Sequence, residues 1–125
     1  MKFPRTPHIT GSKATDDDIF AHFSPDFLTS TQFVATEKMD GSNVTIDRNG
    51  VYARNGSTPS ADWFYPARDT YYRIGHLIDD GITIAGELLS WRKCIPYEGL
   101  PGEFMVFSVI DGDTVLPWKD VVEYA

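Results

Sequence analysis

The chain has 125 residues, 42% hydrophobic and 14% aromatic, enough for one domain with a packed core and against wholesale disorder. A formal net charge of −7 argues against a generic binder of the nucleic-acid backbone, which carries excess Lys and Arg, but leaves room for a local basic cleft. The single cysteine, Cys94, excludes an intramolecular disulfide, fits a reducing compartment, and reads as a small, partly buried side chain.

The opening "MKFPRTPHIT" lacks the apolar core of a signal peptide, and the longest apolar run, "FMVFSVI", is too short to cross a bilayer. The expected location is cytoplasmic. Residues 1–30 read as an extended arm with a short helix: "DDDIFAHF" predicts one or two helical turns stopped by Pro25. "QFVATEKM" then predicts a strand, with Phe33, Ala35, Glu37 and Met39 turned inward and Lys38 turned toward a groove. "NVTIDRNGVYAR" predicts a hairpin through an Asn49-Gly50 turn.

Residues 61–79 predict the one long helix, because Phe64, Ala67, Tyr71, Ile74 and Ile78 recur at spacings of three and four. Ser60 is its expected N-cap and Gly81 its expected stop. "ITIAGELL" and "EFMVFSVI" predict strands, "DGD" a turn into "TVL", and Pro117 the start of a last helix, "PWKDVVEYA". Hairpins and a helix alternate between strands, so the expected class is α+β with a mainly antiparallel sheet and packed helices, in one domain spanning 1–125.

Candidate chemistry begins at Lys38. An amine at about pKa 10.4 is protonated at neutral pH and must lose its proton before it can attack phosphorus. Asp40 and Gly41 follow at once and form a turn through which a phosphate could approach the backbone. Arg54 follows the hairpin, and its guanidinium suits phosphate. Glu87 lies in an apolar strand, where a carboxylate is costly without a partner such as a ribose hydroxyl or a cation. Phe107, apolar among apolar residues, is open to core packing or to base stacking.

With these residues in view, "EKMDGSN" resembles the first nucleotidyltransferase motif, Lys-x-Asp-Gly, of ATP-dependent RNA and DNA ligases and capping enzymes, and the RNA ligases in particular. "YARNG", "AGELL" and "FMVFSVID" resemble the arginine, ribose-binding and adenine-stacking motifs that follow it, and "FPRTPHI" the start of a bacterial and phage RNA-ligase-like family. The resemblance implies a partial nucleotidyltransferase domain of ATP-grasp-like ligase type, using ATP and Mg²⁺ and acting on RNA rather than DNA. It implies that Lys38 carries AMP, and that Glu37, Lys38, Asp40, Gly41, Arg54, Glu87 and Phe107 hold the nucleotide. It also implies that Asn43 orients the nucleic-acid end, with Arg92 as a second cation.

No Glu-Gly-x-Val motif or lysine pair follows the aromatic motif, so the expectation is an N-terminal portion of such a domain. Two functions stay open. One is a strand-sealing enzyme working through lysine–AMP. The other is a non-catalytic or split-enzyme fragment that binds an adenosine nucleotide, with a partner chain or a second copy completing its sheet.

Overall fold

The computed structural model describes residues 3–16, 18–91 and 95–125, so Arg92 and Cys94 lie outside the described residues. Two compact units divide the chain: Pro4–Glu37, and Lys38–Ala125 together with Phe3.

In the first unit β1 (His8–Ile9) pairs in parallel with β2 (Phe20–Ala21), His8 opposite Phe20. The His8 Nε2 lies 3.7 Å from the Asp18 carboxylate. Helix α1 (Pro25–Ser30) begins where a stop is expected from sequence. The Ser24 hydroxyl caps it, accepting from the Phe27 N–H at 3.1 Å, and Pro25 sits in the first turn, where its missing N–H costs nothing. Proline therefore starts this helix, and "DDDIFAHF" contributes β2 instead of a helix.

The expected strand over "QFVATEKM" is absent. Residues 32–39 have no strand pairing among the described residues, and Phe33, Ala35 and Glu37 are exposed, not turned inward. A strand needs a neighbour for its backbone donors and acceptors, and the apolar pattern of this run says nothing about whether one exists.

The second unit is built on a five-stranded sheet. Its strands are β3 (Ser42–Asp47), β4 (Gly50–Ala53), β5 (Ile82–Leu88), β6 (Phe104–Asp111) and β7 (Thr114–Val115). The order is β4-β3-β5-β6-β7, every neighbouring pair antiparallel. The class is α+β with a mainly antiparallel sheet, as expected. Registers Val44↔Gly86 and Ile46↔Ile84, with Ile84↔Val109, align one apolar face. Against it pack Phe64, Ala67 and Ile78 from the 61–79 region and Val121 from α3 (Trp118–Tyr124). The other face carries Asn43, Thr45 and Asp47 of β3 opposite Glu87, Ala85 and Thr83 of β5.

The hairpin forms, one residue earlier than expected. Asp47 pairs with Gly50, so Arg48 and Asn49 make the loop and Gly50 begins β4. The Asp47 carboxylate accepts from the Asn49 and Gly50 N–H groups at 2.7 and 3.1 Å, which holds this loop without left-handed residues.

The long helix is shorter than its periodicity predicts. Helix α2 covers Tyr65–Ile74, with 3₁₀ turns at Asp62–Phe64 and Gly75–Leu77. Pro66 in the first turn sets its start, no side chain caps it, and Ser60 lies outside. Gly81 is not its stop: with φ +90° it makes the turn into β5. The apolar stripe survives these breaks because 3₁₀ turns keep roughly the same face inward. No helix among the described residues is long and apolar enough to cross a membrane.

Two consequences are measurable. A methyl on Gly86 would meet the Phe104 ring at 2.5 Å and the Met105 carbonyl at 2.8 Å. Gly86→Ala should therefore cost about 1–3 kcal/mol, read as a lowered urea midpoint with an unchanged slope. Burial, with the Asp47 carboxylate and Tyr71 beside it, raises the Tyr52 phenol above its ordinary value. Its contribution is then full below the unfolded value of about 10 and is lost as pH rises through the folded value. Tyr52→Phe should lose less stability between neutral and alkaline pH than the wild type.

Candidate active site

The site grows from the join between the segment at Lys38 and the start of β3. Lys38 is exposed and stands on no strand, so the groove-facing geometry expected for it does not apply. What holds this segment is a pair of hydrogen bonds from consecutive amides. The Asp40 N–H donates to the Tyr97 hydroxyl at 2.7 Å, and the Gly41 N–H donates to Glu87 Oε1 at 2.9 Å. These two amides therefore already have internal acceptors.

Gly41 is needed for a different reason from the one its sequence suggests. It is buried, and a Cβ there would overlap the Leu88 carbonyl and approach Leu89 Cδ2 to 2.8 Å. Its φ is not left-handed; the constraint is the close passage of the chain over the end of β5.

The sheet register brings two of the candidates together. Asn43 pairs with Glu87, and Glu87 pairs with Met105 on β6. The β3–β4 register ends at Val44↔Ala53, one residue before Arg54. Arg54 does not lie on a strand: it is exposed, in a turn closed by the Gly56 N–H to the Ala53 carbonyl at 2.8 Å. Neighbouring strands lie about 4.8 Å apart, so Asn43 and Glu87 stand side by side on the sheet.

Phe107 is the residue without a partner in β5. Pairing runs Ala85↔Ser108 and then Gly86↔Val106, a bulge that re-aims the strand at this point. Its ring meets Phe3 edge to face, centroids 5.1 Å apart. Glu37 is exposed and belongs to the Pro4–Glu37 unit.

Beside Asp40 opens a cleft of about 220 Å³, lined also by Leu89, Trp91, Ile95 and Tyr97. Two polar atoms are buried without a hydrogen-bond partner among the described residues: Asn43 Oδ1 and Ser108 Oγ. Each such atom costs about 1–3 kcal/mol, so both are acceptors suited to a donor from a ligand or water. No group of three or more His, Cys, Asp or Glu able to hold a metal occurs among the described residues.

A family model described as RNA ligase matches residues 31–125. The chain belongs to the RNA ligase family. No curated protein and no solved structure matches it.

In this RNA ligase-family chain, the residue that sequence reading missed is Tyr97. It lies 57 residues from Asp40, in an irregular loop, and "IPYEG" carries no periodicity or motif that marks it. Glu87 was legible as a carboxylate in need of a partner, and part of that need is met by a backbone amide.

The Glu87–Gly41 bond predicts a graded pair of effects. Glu87→Ala strands a buried N–H and should lower stability by about 1–3 kcal/mol, while Glu87→Gln keeps an acceptor oxygen and should lose less. Urea unfolding of both variants checks the order, and equal losses would separate the carboxylate from the turn.

Proposed function

We propose that this chain performs the nucleotidyl-transfer chemistry of an RNA ligase, with Lys38 as the covalent site. The neutral Lys38 amine attacks the α-phosphorus of ATP. An N–P bond forms, the bond to the pyrophosphate oxygen breaks, pyrophosphate leaves, and the amine proton passes to solvent. The product is a lysine–AMP phosphoramidate. AMP then passes to the 5′-phosphate of an RNA end, and a 3′-hydroxyl displaces it to seal the strand.

One observation carries this reading. Lys38 stands two residues before a segment tied at consecutive amides to β5 and to the loop ahead of β6, in a chain whose family is RNA ligase. Phosphoryl transfer is mostly positioning and charge neutralisation, so a tethered segment beside the nucleophile is what such a site requires.

The remaining residues take roles that fit their placement. Glu87 holds Gly41 through Oε1 and offers its other oxygen to a ribose hydroxyl. Phe107, re-aimed by the bulge, offers a ring to adenine beside Phe3. Arg54, one residue past the end of the β3–β4 ladder, is assigned to a phosphate, and the Asn43 Oδ1 to a donor from the nucleic-acid end. Glu37 is assigned to the adenine amino group and Asp40 to the turn. Mg²⁺ enters as part of the substrate, bound to the ATP phosphates.

Intact-mass spectrometry after incubation with ATP and Mg²⁺ tests the proposal. The wild type should gain one AMP, stable to acid precipitation, and Lys38→Arg should gain none. Arginine keeps the charge, but with a pKa above about 12 it does not present a neutral nucleophile. An adduct that persists in Lys38→Arg would remove Lys38 from the role. Nucleotide binding without an adduct in the wild type would replace catalysis with nucleotide capture.

A further inference from the structure

We infer that Tyr97 is a positioning residue for the Lys38 amine, an assignment that rests on the proposed function for its catalytic meaning. Three observations combine. The Tyr97 hydroxyl accepts the Asp40 N–H at 2.7 Å, a charge-neutral bond at the short end of the ordinary range. The next amide, Gly41, is held at 2.9 Å by Glu87 Oε1, and Gly41 is packed too closely against Leu88 and Leu89 for any side chain. Tyr97 and Asp40 also line the same cleft, with Tyr97 half-buried.

The two bonds do different work. Glu87, the Leu88 backbone and the Leu89 side chain hold position 41, the entry to β3, against a strand paired on both edges. That anchor sits three residues from Lys38, and an anchored end by itself leaves the peptide planes before it free to rotate. The Tyr97 bond fixes the plane between Met39 and Asp40, one residue from Lys38. Fixing it narrows the directions in which the long lysine side chain leaves the backbone. Tyr97 sits in the loop between β5 and β6, so the conformation of that loop bears on where the amine points. Its effect should then appear in the attack step more than in ATP binding, because Tyr97 acts through the backbone of 39–40 and Lys38 reaches the phosphorus.

Tyr97→Phe removes the hydroxyl and keeps the ring. Amide hydrogen exchange on the full chain, without nucleotide, gives the first readout. Exchange at Asp40 should rise about tenfold or more, while β3 and β5 keep their protection. Rapid-quench adduct formation gives the second. The maximal rate should fall about tenfold with the half-saturating ATP concentration within about twofold of wild type. A rise in half-saturating ATP with an unchanged maximal rate would assign Tyr97 to nucleotide binding and overturn the inference. Unchanged Asp40 exchange in Tyr97→Phe would overturn it as well. Should that variant not fold, the wild type still decides: an Asp40 amide that exchanges as fast as the Lys38 amide means the bond is not made. Absence of any adduct in the wild type counts against Lys38 as a nucleophile, and the exchange result then decides the backbone role separately.

Discussion

The bond between the Gly41 amide and the Glu87 carboxylate joins the two parts of this molecule on which the rest depends. On one side is the segment that carries Lys38, which has no strand neighbour of its own. On the other is β5, the strand that pairs with both β3 and β6 and whose residues 82–86 and 88 are buried. A carboxylate in such a strand is tolerated only with a partner, and a buried glycine amide needs an acceptor. Each answers the other, and the bond ties the segment that follows Lys38 to β5. Gly41 permits this approach because Leu88 and Leu89 leave no room for a Cβ.

The same sheet brings together candidate groups that are not near in sequence. Antiparallel register sets Asn43 beside Glu87, and a bulge leaves Phe107 on the next strand without a pairing partner. One face of the sheet is consumed by packing against α2 and α3, which leaves the opposite face for polar and aromatic groups. The buried, unpartnered oxygens of Asn43 and Ser108 lie on strands flanking β5.

Negative charge and nucleic-acid chemistry are compatible in this arrangement. The net charge of −7 disfavours indiscriminate backbone binding. An aromatic-walled cleft lies beside Asp40, lined by Trp91 and Tyr97.

Sequence by itself determined the class, the existence of the hairpin and of strands β5 and β6, the helix after Pro117, and the family motifs in their order. Apolar alternation, a Pro at a helix start and a Lys-x-Asp-Gly run are local signals, and local chemistry enforces them. Tertiary structure decided what depends on a neighbour. "QFVATEKM" has the composition of a strand and is not one, because no other segment pairs with its backbone. The 61–79 stripe is continuous, yet Pro66 and the 3₁₀ turns divide the helix, because backbone hydrogen bonding and not side-chain period sets its ends. Gly41 looked like a turn residue and is a packing residue, since only the position of Leu88 reveals the contact. Tyr97 was invisible for the same reason: its role is a hydrogen bond across 57 residues, and a bond made through space leaves no pattern along the chain.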